Sequence, residues 1–94
     1  MTRAALTETE INAKIGQLNG WTYREGSLLK ILEFADFKNA WAFMNEVAAA
    51  AELLDHHPDW RNVYNRVEIR LNTHSSKGIS MLDFELAAKI DALT

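Results

Sequence analysis

With 94 residues, 48% of them hydrophobic, the chain is sized for one globular domain with a modest core, burying only about 60–65% of its unfolded surface. A formal net charge of −3 with no run of Lys or Arg argues against a nucleic-acid footprint or an anionic membrane surface as the main partner. Cysteine is absent, which excludes disulfides, thiolate catalysis and Cys-bound zinc.

Met1 to Leu6 carries no leader-like apolar stretch, and no segment approaches the roughly 20 apolar residues of a membrane span. A soluble, cytoplasmic protein without a membrane partner is expected. Thr7 with Glu10 forms a capping-box pattern, Leu6 can staple onto Ile11, and Ile11, Ile15 and Leu18 share a helical face that Asn19-Gly20 should end. Trp21 to Glu25 reads as a short strand, and Glu25-Gly26-Ser27 as a hairpin turn. Leu28 to Phe34 is a second strand, apolar on both faces, which usually means cover on both.

Asp36 is a suitable N-cap for a long helix from Phe37 to Asp55. Its most polar members, Lys38, Asn39, Asn45, Glu46 and Glu52, fill an arc of only about 140° at about 100° per residue. The remaining surface, with Phe37, Trp41, Phe43, Met44, Val47 and Leu54, is wider than one sheet would cover. A second helix from another subunit is the favoured reading, against a run of alanines that are merely good helix formers. Asn62 to Thr73 is a β segment in which Val63, Val67, Ile69 and Leu71 alternate with polar residues. A turn at Tyr64-Asn65-Arg66 would split it into a hairpin, and periodicity leaves that open. Ser80 caps the last helix with Asp83 at its third position, and Leu82, Leu86, Ile90 and Leu93 form its buried face. The order is α-β-β-α-β(β)-α, an α+β domain with helices against an antiparallel sheet.

The histidines are His56, His57 and His74. Pro58 disfavours helix at His57, so His57 should leave the helical path while His56 stays on the last turn. Glu52 lies one turn before His56 and should share its face. A carboxylate and a helix C-terminus at that position suit a proton-donating imidazole. His74 follows a strand end, so one cleft between helix end and strand end can gather all three rings. Taken singly, each residue has a plainer explanation as a cap, an exposed pair or a loop residue, and Asp83 as a helix-start carboxylate.

Taken as a group, Glu52, His56, His57, Pro58, Tyr64, His74 and Asp83, with flanking Asp59-Trp60, Asn62-Val63-Tyr64-Asn65 and Thr73, resemble the signature of the pterin-4a-carbinolamine dehydratases, also called 4a-hydroxytetrahydrobiopterin dehydratases. Trp21 and Phe43-Met44 also stand where relatives carry the same residues. The resemblance implies an α-β-β-α-β-β-α fold with a four-stranded antiparallel sheet and helices on one face. It implies dehydration of 4a-hydroxytetrahydropterin to quinonoid dihydropterin, which recycles the cofactor of aromatic amino acid hydroxylases. His56, His57 and His74 would then be the active-site histidines, His57 tied more to substrate binding, with Glu52 and Asp83 orienting or polarising them. Pro58, Trp60, Trp21 and Tyr64 are candidates to contact the flat pterin; for the last three, core packing is the competing role. Homodimers or homotetramers are implied, and no cofactor is required.

Two rival readings are weaker. His56, His57, His74 and Asp83 could be imagined as zinc or iron ligands, but adjacent histidines point apart and no HxH or HExxH spacing exists; no metal is expected. A non-enzymatic dimerisation or regulatory module of the same fold is the alternative, since some relatives serve as binding partners.

Overall fold

Helix starts are set by side chains that complete the backbone's own hydrogen bonding. In a computed structural model that describes residues 4–94, helix α1 (Glu8–Ile15) begins at Thr7, whose Oγ1 accepts the Glu10 N–H at 3.2 Å while Glu10 Oε1 accepts the Thr7 N–H at 2.9 Å. The expectation of no leader-like stretch over Met1 to Leu6 falls in part on residues 1–3, which lie outside the described residues. Helix α2 (Phe37–Leu54) starts where Asp36 accepts the Asn39 N–H at 2.9 Å. Helix α3 (Met81–Ala92) starts at Ser80 with the reciprocal Asp83 bond. These pairings satisfy donors that the first helical turn leaves free. The first helix ends earlier than its apolar face predicts. Regular α structure stops at Ile15, before Gly16, and the chain continues in tighter turns with Leu18 still packed on the core.

The strands are β1 (Thr22–Arg24), β2 (Ser27–Glu33), β3 (Asp59–Val63) and β4 (Arg66–Leu71). They form one antiparallel sheet in the order β1-β2-β4-β3. Glu25 and Gly26 both take positive φ, 51° and 78°, the geometry of a tight hairpin whose twist matches the strands. Tyr64, at φ 51°, turns the second hairpin, so the Asn62 to Thr73 segment is two strands. That turn resets the alternation. Val63 pairs with Arg66 and is 54% exposed, while Val67, Ile69 and Leu71 are fully buried.

The helices cover one face of the sheet. Leu28, Ile69, Leu71, Ile79, Leu86 and Ile90 are fully buried between the layers, each worth about 1.5–3 kcal/mol of transfer free energy. The other face is open in this chain: Ile31 is 46% exposed, so β2 is not covered on both sides as its composition suggests. Lys30, on the covered face, ends in an ion pair, Nζ to Asp91 Oδ1 at 2.8 Å. Asp91 also accepts Trp21 Nε1–H at 2.8 Å and the Asn19 N–H at 2.9 Å. Along α2 the aromatic rings of Phe37 and Trp41 stack on each other, 6.1 Å apart, on an uncovered surface. Among the described residues no helix is long and apolar enough to cross a membrane.

Candidate active site

The site begins where α2 ends. Asp55 adopts the left-handed conformation (φ 50°, ψ 44°). Its N–H returns to Glu52 O at 3.2 Å and that of His56 to Ala51 O at 3.0 Å, the paired bonds that close a helix around a left-handed residue. The chain reverses there, so His56 is not on the last helical turn. It enters the interior, 5% exposed, and its Nε2 lies 2.5 Å from Oδ1 of the fully buried Asp83. His57, one residue on, faces outward and meets Glu52 Oε2 at 2.5 Å. The expected Glu52–His56 pairing is therefore replaced by Glu52–His57. Helical i, i+4 neighbours require helical dihedrals throughout, and Asp55 breaks them.

His74 comes from the other side. After β4, Thr73 donates its N–H to Gly78 O at 2.7 Å, and a single 3-10 turn, His74–Ser76, is closed by Lys77 at φ 56°. This loop presents His74 at the surface beside the end of α2. A cleft of about 370 Å³ lies between, lined by Asp55, His56, His57, Asn72, His74 and Ser75. That is within the range of small-molecule sites, about 300–1,000 Å³. The three imidazoles thus share one cavity, one supported by a buried carboxylate and one by a solvated carboxylate. Imidazole donates or accepts protons near neutrality, so the cleft is equipped for proton transfer to and from a bound small molecule. Among the described residues no three His, Asp or Glu side chains are grouped to hold a metal ion.

The other four candidates do not line the cleft. Pro58 is half-buried in the link to β3. Trp60 is half-buried against the core from β3, opposite Ile69. Trp21 is buried with its indole N–H on Asp91, which lies about 12 Å along α3 from Asp83 at about 1.5 Å per residue. Tyr64 is 63% exposed at the far end of β3, about 17 Å from the His57 end at roughly 3.4 Å per residue. For Trp21 and Trp60, core packing is the role this chain shows. Asp55, Asn72 and Ser75 line the cleft without having been singled out. Thr73 and Ser80 support Asp83 from behind, Thr73 Oγ1 to Asp83 Oδ2 at 2.7 Å. Thr73 had a signal: it continues the inward series Val67, Ile69, Leu71 as a polar residue where an apolar one is due.

Residues 4–93 match the family model for pterin 4 alpha carbinolamine dehydratase. The chain belongs to the pterin-4a-carbinolamine dehydratase family. A protein of Novosphingobium aromaticivorans, provisionally named a pterin-4-alpha-carbinolamine dehydratase, is 47% identical over 98% of both chains. One of Solibacter usitatus with the same provisional name is 48% identical over 94% of this chain and 93% of its own. The crystal structure of a transcriptional coactivator/pterin dehydratase from Brucella melitensis superposes with a TM-score of 0.92 at 42% identity, covering 95% of this chain and 97% of that one. A pterin dehydratase-like protein described as a RuBisCO assembly factor in the alpha-carboxysome shares the fold, with a TM-score of 0.67 at 24% identity over 80% of this chain and 89% of that one. The dehydratase fold therefore carries differently described proteins, and function has to be argued from the cleft.

Proposed function

We propose that the protein dehydrates 4a-hydroxytetrahydropterin to quinonoid dihydropterin and water by histidine acid–base catalysis, supporting tetrahydropterin recycling for aromatic amino acid hydroxylases. The observation that carries this reading is the convergence of His56, His57 and His74 on one cleft in a chain of this family. The reaction needs two proton movements. The hydroxyl on C4a leaves as water once protonated, and N5 gives up its proton as the C4a–N5 double bond forms. A protonated imidazole supplies the first and a neutral one accepts the second, and exchange with solvent then restores both. His56 and His74, from the two walls, are assigned these transfers. His57 with Glu52 forms the solvated rim that binds the ring. The carbinolamine is already labile, so the roughly 10²–10⁴-fold typical of positioned acid–base groups suffices.

The same reading includes self-association in the cytoplasm. The stacked Phe37 and Trp41, 46% and 52% exposed, with the alanines that follow along α2, offer a helix face for a second copy. That surface also favours, as a second reading, a binding module with another partner. The deciding experiment adds the protein to a pterin-dependent hydroxylase reaction and follows the 4a-hydroxy intermediate by absorbance. Suppressed accumulation supports the dehydratase; accumulation unchanged at stoichiometric protein refutes it.

A further inference from the structure

The Asp83 carboxylate is fully buried and both its oxygens are engaged. Oδ1 meets His56 Nε2 at 2.5 Å. Oδ2 accepts the Thr73 hydroxyl at 2.7 Å and the Ser80 N–H at 2.9 Å. Thr73 Oγ1 lies 2.6 Å from Ser80 Oγ, which accepts the Leu82 N–H at 3.2 Å. The proton positions follow by elimination. A carboxylate only accepts, so Thr73 donates to it. A hydroxyl has one proton, so the Thr73–Ser80 contact must use the proton of Ser80. Donors therefore run in one direction, from the first turn of α3 through Ser80 and Thr73 to Asp83, each polarising the next. The last contact obeys the same rule: His56 carries a hydrogen on Nε2. A neutral His56 then has its bare nitrogen at Nδ1, and His56 lines the cleft.

Thr73 also holds the opposite wall. It directly precedes His74, donates its N–H to Gly78 O at 2.7 Å and accepts the Ser76 N–H at 3.1 Å, closing the loop that carries His74. Its side chain is 1% exposed, so solvent cannot replace the hydroxyl.

We infer that Thr73 is a positioning residue: its hydroxyl, fed by Ser80, fixes the Asp83 carboxylate against His56, whose proton sits on Nε2 and which works in the cleft through Nδ1. The consequence for turnover rests on the proposed acid–base role of His56; the tautomer does not. The test is imidazole ¹⁵N NMR on the wild-type chain, Thr73→Val and Thr73→Ser, with dehydration kinetics beside it. Wild type and Thr73→Ser should show neutral His56 as the Nε2–H form. Thr73→Val keeps the carboxylate but leaves it one donor short, so it should retain the Nε2–H form with shifted His56 ¹⁵N resonances and a kcat lower by about tenfold or more, the worth of one hydrogen bond to a charged group, with KM within about twofold. A neutral wild-type His56 protonated on Nδ1 overturns the proposal even if Thr73→Val fails to fold. So does a Thr73→Val spectrum identical to wild type, or a Thr73→Ser variant that behaves like Thr73→Val. Absence of turnover in the wild type would instead sink the dehydratase reading and leave the NMR result standing.

Discussion

Replacing Asp91 by Ala tests the polar clamp at the end of the molecule remote from the cleft. Three donors converge on this carboxylate: Lys30 Nζ and Trp21 Nε1, each at 2.8 Å, and the Asn19 N–H at 2.9 Å. Asp91→Ala leaves a nearly buried ammonium and a buried indole N–H without their acceptor. Hydrogen bonds to charged groups are worth about 1.5–3 kcal/mol each, and breaking a buried pair from one side costs about 3–5 kcal/mol. The side chains of Lys30 and Asp91 are 10% and 16% exposed, so water softens the loss and about 3 kcal/mol is expected. For a domain of this size that is roughly 12–24 °C in Tm. Lys30→Met should cost less, about 1–2 kcal/mol, because Asp91 keeps two donors and the methionine keeps the aliphatic packing. Lys30→Met/Asp91→Ala should fall short of the sum by about 1 kcal/mol or more. The assay is chemical denaturation at fixed protein concentration. A cost below about 1 kcal/mol for Asp91→Ala, or an additive double variant, refutes the argument.

The same clamp sets a pH dependence. Burial alone would raise the Asp91 carboxyl, but the bonds from Lys30, Asn19 and Trp21 and the Lys30 charge outweigh it and hold it below the ordinary aspartate range. A lowered folded value means that the stabilisation is fully present above the unfolded value of about 3.9 and is lost as pH falls through the folded one. Acid melts of Asp91→Asn should therefore be flatter than wild type below about pH 4.

Three further outcomes are expected. His74→Ala should slow dehydration by about 10²-fold or more in a rapid-mixing assay with an unchanged Tm, because the ring is exposed. Asp83→Ala removes the buried partner of His56 and half of a capping box and should cost about 3 kcal/mol or more; Glu52→Gln, at a solvated pair, should cost under about 1 kcal/mol. Melting curves separate the two. Trp41→Glu should lower the mass seen by light scattering without unfolding the chain, since it charges the exposed face of α2; an unchanged mass would move self-association to another surface.

Helix caps, which act within three residues, are legible in the sequence. Thr7 with Glu10, Asp36, and Ser80 with Asp83 mark their helix starts because cap and donor are near neighbours in the chain. The inward series Val67, Ile69, Leu71 was equally plain. Long-range pairings were not. Lys30 meets Asp91 and His56 meets Asp83 across the fold, and no periodicity links those positions. The shift of Glu52 from His56 to His57 turns on one dihedral at Asp55, a residue type that gives no strong left-handed signal as glycine would. Tyr64 belongs to the signature yet stands at the far end of β3 from the histidines, because neighbourhood in a signature is not neighbourhood in space.

The left-handed backbone at Asp55 gives consecutive, chemically identical side chains very different access to solutes. An acylating reagent such as diethyl pyrocarbonate reaches an imidazole only where the ring is open to water. Carbethoxylation followed by absorbance should resolve two fast sites, His57 and His74, and one slow site, His56, while the Asp55 turn is intact.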